Sequence, residues 1–77
     1  MVDVLFFAGL KEQIGKNKLS FEASGMTVKE LKEKHLATYQ LAGLQQAMTA
    51  INEEYADDEA LLEKGDVVAF IPPVSGG

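Results

Sequence analysis

The chain has 77 residues, no cysteine, one histidine, and seven basic against twelve acidic side chains for a formal net charge of −5. This is one domain at most, and it excludes disulfides, thiolate zinc sites, iron–sulfur clusters, cysteine nucleophiles and any multi-histidine metal site. Acids outnumber the lysines and there is no arginine, so the basic footprint needed for nucleic acid or an anionic membrane surface is missing, and neither is an expected partner. Hydrophobic residues at 47% and charged residues at 25% are ordinary for a folded protein.

Residues 2–8 are rich in β-formers and predict a first strand. Its two alternating sets, Val2/Val4/Phe6 and Asp3/Leu5/Phe7, are both largely apolar, which predicts a central strand covered on both faces. Residues 9–15 predict two short helical turns ending at Gly15. Gly15-Lys16-Asn17-Lys18 turns the chain into residues 19–22, whose alternation is that of a half-buried strand. The apolar run at 4–10 is far shorter than the roughly 20 residues of a membrane helix. Met1-Val2-Asp3 has no basic stretch of the kind that opens a signal peptide, so the cytoplasm is the expected compartment.

Thr27-Val28-Lys29-Glu30 has the pattern of a capping box, flanked by Met26 and Leu31 as a hydrophobic staple. It predicts a helix over about 28–36, with Val28, Leu31 and His35 inward and Lys29, Glu30, Glu33 and Lys34 mostly outward. For 37–46 two readings stay open: Leu36, Tyr39 and Leu44 extend the helix or form a second one, and Gly43 favours an interruption. Residues 48–52 predict a strand, followed by a turn at Asn52-Glu53-Glu54 and a short strand at Tyr55-Ala56. Residues 57–62 predict a helical turn whose leucines plug one end of the core. Gly65-Asp66 is a turn signal, and 66–71 form the second strongly apolar strand, which Pro72-Pro73 ends because proline lacks an amide donor.

The predicted order is strand, strand, helix, strand, short strand, strand. One helix long enough to cover a sheet covers one face only, yet the first and last strands are apolar on both. Leu5 and Phe7 share a face of the first strand, and Val67, Ala69 and Ile71 share a face of the last. If these strands are neighbours, the five side chains make one apolar patch that something outside the chain covers.

Conventional catalytic constellations are weak. His35, the sole imidazole, sits beside Leu31 and reads as a core-boundary residue. The acids at 53–59 lack the ligand spacing and glycine of a calcium loop and read as a solvated turn, so no metal site is expected. There is no phosphate-binding glycine loop with its lysine, and no serine has a histidine placed beside it. The tail is different. A double proline stiffens the exit from the last strand, and Val74-Ser75-Gly76-Gly77 follows without a polar linker. Two residues without Cβ thread a narrow channel in another protein and bring a carboxylate to a reacting centre. Residues 1–73 are expected to form the folded domain and 74–77 a flexible tail.

The run Gly65-Asp66-Val67-Val68-Ala69-Phe70-Ile71-Pro72-Pro73-Val74-Ser75-Gly76-Gly77 resembles the C-terminus of the small subunit of molybdopterin synthase, the MoaD family. Val4-Leu5-Phe6-Phe7-Ala8 is similar to that family's first strand, and Thr27-Val28 with Leu31 to its helix start. The resemblance implies an α+β, ubiquitin-like β-grasp fold with four to five strands in a mixed sheet and one main helix on one face. It implies that an E1-like adenylating enzyme activates the Gly77 carboxylate with ATP. A sulfurtransferase then supplies sulfur, and Gly77 becomes a thiocarboxylate. The tail, with Pro73, Val74, Ser75 and Gly76 lining the way, enters the large subunit of a heterotetramer, where sulfur passes to a cyclic pyranopterin precursor. The patch used by partners falls on Phe7, Tyr55 and Ile71 with Lys11 nearby, joined by Leu5 and Ala69 through the alternation above. No cofactor is bound by the chain itself; the sulfur is carried covalently, and catalytic residues for the pterin chemistry are expected on the large subunit. Three other readings compete: a sulfur carrier of thiamine biosynthesis, a ubiquitin-like protein modifier, and an interaction module with an inert tail.

Overall fold

The computed structural model describes residues 1–73. Five strands form one mixed sheet: β1 (Val2–Phe6), β2 (Lys18–Phe21), β3 (Met48–Ile51), β4 (Glu54–Ala56) and β5 (Val67–Ile71), in the order β2-β1-β5-β3-β4. The central pair, β1 and β5, is parallel, and the other three pairings are antiparallel. β1 is therefore central, as its composition predicts.

Only one of its faces is covered by the chain. Val2, Val4 and Phe6 are fully buried and meet Val68 and Phe70 of β5, with the Phe6 and Phe70 rings stacked at 6.3 Å between centroids. The opposite set, Asp3, Leu5 and Phe7, is half-buried to exposed, which corrects the expectation of cover on both sides. β1 is also shorter than predicted. The chain turns at Phe7 and Ala8, where Ala8 takes φ 50°, and α1 (Ala8–Ile14) begins. α1 joins the core through Leu10 and ends as predicted at Gly15, whose φ of 83° lets its N–H reach the Lys11 carbonyl.

The predicted helix over 28–36 is present as α2 (Val28–Leu31) continued by a wider π-helical segment, Lys32–Leu36. Its start is fully satisfied. The Val28 and Lys29 amides donate to the Ala60 and Asp58 carbonyls. The Glu30 amide donates to Thr27 Oγ1 (3.1 Å), and the Thr27 amide donates to Glu30 Oε1 (3.0 Å), closing the capping box. Val28, Leu31 and Leu36 are buried, and His35 lies half-buried with its ring 5.0 Å from that of Phe21. Lys32, which the sequence assigns to neither face, is buried as well: its ammonium sits 2.9 Å from Asp58 Oδ1 and 5.7 Å from the centroid of the Phe70 ring.

Residues 37–46 do not extend the helix. They make two single 3₁₀ turns, Ala37–Tyr39 and Leu44–Gln46, with Gln40 and Gly43 in left-handed conformation between them. Leu44 is buried and Tyr39 is not. Of the expected helical turn over 57–62 only a single hydrogen-bonded turn forms, the Ala60 amide donating to the Asp57 carbonyl at 3.2 Å. This stretch spends its backbone groups on the start of α2 and on the preceding loop. Besides the two carbonyls above, the Leu62 amide donates to the Met26 carbonyl and the Gly25 amide to the Leu62 carbonyl. With these groups paired outward, the stretch does not continue as a helix beyond that one turn. Leu62 plugs the core, whereas Leu61 is 66% exposed.

The Glu30 carboxyl is held below its ordinary range, chiefly by the hydrogen bond it accepts from the Thr27 backbone. A carboxyl depressed on folding stabilises the fold above its unfolded pKa and loses that contribution as pH falls through the folded value. Urea melts should therefore show Glu30→Gln with a shallower loss of stability between pH 5 and pH 3 than the wild type, while Thr27→Ala costs about 1 kcal/mol at neutral pH; equal pH slopes for wild type and Glu30→Gln contradict the first, and an unchanged midpoint for Thr27→Ala the second. Removing the Asp58 counter-ion strands a buried ammonium. Asp58→Ala should cost about 2 kcal/mol, less than for a fully buried partner because Asp58 is half exposed, whereas Lys32→Met, which removes the charge and keeps the volume, should cost less.

Candidate functional site

The uncovered face of the sheet carries a continuous cross-strand row. The registers align Lys18 with Leu5, Leu5 with Ala69, Ala69 with Ala50, and Ala50 with Tyr55, so one row crosses all five strands. A second row pairs Ile71 with Met48, and a third pairs Ser20, Asp3 and Val67. Small alanines stand in the middle and larger side chains stand around them. The result is a shallow concavity of ≈ 610 Å³ with Leu5 and Phe7 at one end, Tyr55 and Glu53 at the other, and a floor of Ala50, Val67, Ala69 and Ile71.

Tyr55 is 72% exposed, Met48 49% and Phe7 44%, a concentration of uncovered large apolar surface on one face. Fully burying one such side chain is worth roughly 1.5–3 kcal/mol, so a partner that covers the face gains enough for specific docking. Of the residues singled out in the sequence, Leu5, Phe7, Tyr55, Ala69 and Ile71 all line this one concavity. Lys11 lines a smaller adjoining one of ≈ 310 Å³ with Leu5 and Phe7, so it stands at the rim. Pro73 follows two residues beyond the end of β5. Val74, Ser75, Gly76 and Gly77 lie outside the described residues.

Sequence reasoning missed Met48, Ala50, Asn52 and Glu53. The alternation of Met48-Thr49-Ala50-Ile51 contained the first two, since Thr49 faces the core side with Phe70. The other two become part of the face through turn geometry. Asn52 and Glu53 join β3 to β4 with φ of 50° and 71°, the pair of positive values that marks a two-residue type I′ hairpin turn. Asn52 is pinned there: its amide donates to the Val67 carbonyl at 2.8 Å, its Oδ1 accepts from the Val67 amide at 3.0 Å, and its Nδ2 donates to Asp66 Oδ1 at 2.9 Å. At the opposite edge, Ser20 Oγ donates to Asp3 Oδ1 at 2.7 Å and Lys18 lies 3.5 Å from Asp3 Oδ2. The Ser20 hydrogen bond first, and Lys18 after it, hold the Asp3 carboxyl below its ordinary range. Among the described residues no group of three or more His, Asp or Glu side chains is placed to hold a metal ion, and no helix is long and apolar enough to cross a membrane.

A mixed five-stranded sheet with one helical layer and an open opposite face defines a ubiquitin-like β-grasp protein, and comparison with solved structures agrees. SAMP1 from Haloferax volcanii superposes with a TM-score of 0.76 at 22% identity, over 99% of this chain and 98% of that one, a likeness of fold. The chain belongs to the ThiS family, whose model matches residues 4–77. It is 37% identical to the molybdopterin synthase sulfur carrier subunit of Haemophilus influenzae over 100% of both chains. It also matches a chain in the complex of subunits 1 and 2 of the molybdopterin-converting factor from Helicobacter pylori, with a TM-score of 0.72 and 28% identity over 99% of this chain and 97% of that one.

Glu53 stands where the turn favours glycine, since a side chain in left-handed conformation costs roughly 1–2 kcal/mol. Glu53→Gly should therefore raise the stability of the isolated chain by about 1 kcal/mol, read as a higher urea midpoint; a lower midpoint contradicts the turn assignment.

Proposed function

We propose that the chain is the sulfur-carrier subunit of a molybdopterin synthase. The observation that carries this reading is the placement of β5. It is the middle strand of the open apolar face, and it leads through Pro72-Pro73 into Val74-Ser75-Gly76-Gly77. A partner that docks on the face necessarily holds the place where the tail leaves. The full-length likeness to curated sulfur-carrier subunits supports the same reading.

The mechanism assigned to the chain is short. The Gly77 carboxylate is a poor electrophile. In the proposed cycle an adenylating enzyme lets it attack the α-phosphate of ATP, releasing pyrophosphate and leaving an acyl-adenylate. A sulfide-level nucleophile delivered by a sulfurtransferase displaces AMP and leaves a thiocarboxylate. Its sulfur is then given to the cyclic pyranopterin precursor inside the large subunit, with water restoring the carboxylate. Glycine at 76 and 77 presents the least hindered backbone for this traffic. The folded domain supplies the docking face formed by Leu5, Phe7, Tyr55, Ala69 and Ile71, with Lys11 at its rim, and Pro73 with Val74, Ser75 and Gly76 spans the partner's channel. No side chain of this chain acts as acid, base or metal ligand in the scheme, so the groups that catalyse the pterin chemistry belong to the large subunit. We assign the cycle to the cytoplasm, where ATP is at hand.

The test is intact-mass analysis after incubation with the adenylating enzyme, ATP and a sulfur donor. The expected result is one oxygen-to-sulfur exchange at Gly77, followed by return to the starting mass when the large subunit and the precursor are added. Deletion of Gly77 should abolish the exchange and leave the urea midpoint unchanged. An unaltered mass for the wild type under conditions where a relative from another organism reacts overturns the carrier reading, and isopeptide-linked products in place of the exchange overturn it in favour of a protein modifier.

A further inference from the structure

The open face is bounded by charge of opposite sign at its two edges. Lys11, Lys16 and Lys18, three of the seven lysines, fall within eight residues that form the end of α1, the following turn and the start of edge strand β2. Glu53, Glu54, Asp57, Asp58 and Glu59, five of the twelve acids, fall in and after the turn that forms edge strand β4, with no base among them. Some of this charge is spent internally. Lys18 is paired with Asp3, and Asp58 with Lys32. The rest is available: among the described residues Lys11 and Lys16 take part in no ion pair, and neither do Glu53 and Glu54. Lys11 and Glu53 each line a concavity of the open face, at opposite ends of it.

Five strands spaced at about 4.8 Å set the two edges about 19 Å apart. That exceeds the Debye length of about 8 Å at physiological ionic strength, so a docking surface meets two separate poles and not one net charge. The acidic pole is also held at a conformational cost. Glu53 occupies a left-handed position that glycine would fill without strain, and strain kept at a surface turn points to a side chain retained for what it meets.

We propose that the two poles set the rotation of the docking partner on the open face, and that the partner is a protein surface of matching polarity. This rests on the docking reading above and specifies it. The partner has an apolar centre that covers Tyr55, Ala69 and Phe7, carboxylates where it meets the 11–18 turn, and cations where it meets the Asn52-Glu53 turn. The apolar patch supplies affinity but is nearly indifferent to a half-turn about the sheet normal. The poles are not, because a half-turn sets each against its own sign. The axis joining them runs obliquely over the sheet, from the start of β5, where Asn52 meets Val67, to the end of β1, where Asn17 meets Phe6, while β5 leaves along the strand direction. Fixing the rotation therefore fixes the direction in which the chain continues past Pro73.

The experiment measures association rates of the full chain with its purified large subunit at low and high salt. Two variants are compared with the wild type: Lys11→Glu/Lys16→Glu and Glu53→Gly/Glu54→Gln. A third, Lys29→Glu/Lys64→Glu, makes the first variant's charge change away from the face. The first makes the chain more acidic and the second less, so a net-charge effect moves their rates in opposite directions. Two poles slow both, by about tenfold at low salt, and the loss shrinks at high salt. The third variant should stay within about twofold of the wild type. Because Glu53→Gly relieves strain, slower docking of that variant cannot be ascribed to a weakened fold. Rates that shift in opposite directions, or unchanged rates for both pole variants with the wild type binding normally, overturn the proposal alone. No binding by the wild type overturns the docking reading together with it.

Discussion

A single helical layer cannot cover both faces of a five-stranded sheet, and the organisation of this molecule follows from that limit. The chain spends its one long helical segment, 28–36, on the face that carries Val2, Val4, Phe6, Val68 and Phe70. What is left for the opposite face is a set of strand positions that are still apolar: Leu5, Ala69, Ile71, Met48 and Tyr55. In a chain this short, every apolar side chain left outside is one withheld from the core. The inner face must be dense enough to compensate, and among the described residues eleven fully buried side chains, led by Phe6 and Phe70, supply that density.

Much of this was legible from residues alone, where the signal was local. Strands β1 and β5 announce themselves by β-branched and aromatic runs, the capping box at Thr27 and Glu30 by spacing, and the end of α1 by Gly15. The open face was legible too, as a surplus of apolar positions over one helix's covering capacity. What the sequence hid depends on contacts distant along the chain. The sequence assigns Lys32 to neither face, because its burial depends on Asp58, 26 positions away, and on the face of Phe70. Residues 57–62 have the composition of a helical turn, but their carbonyls are claimed by the amides that open α2. Glu53 reads as an ordinary turn acid, and its bearing on the open face comes from the left-handed backbone of the hairpin turn.

The absence of cysteine changes meaning under the carrier reading. Sulfur held as a thiocarboxylate needs no thiol. A chain without thiols offers a sulfurtransferase no competing acceptor, and a disulfide cannot divert the cargo. With so few groups able to do chemistry, the selectivity assigned to this protein resides in shape and charge on one sheet face, while reactivity belongs to the backbone beyond Pro73.

The parallel pairing of β1 with β5 joins the two ends of the described chain, aligning Asp3 with Val67 and Phe6 with Phe70. Such a contact closes nearly the longest loop among the described residues, so it carries a correspondingly large closure entropy. The sheet therefore closes only once the strand at 67–71 is present to pair with both β1 and β3. A chain interrupted before β5 lacks the middle strand and the pairing of Leu5 with Ala69, and therefore the open apolar face. Under the carrier reading such incomplete chains are silent: without the face they do not occupy the partner proposed to take the sulfur.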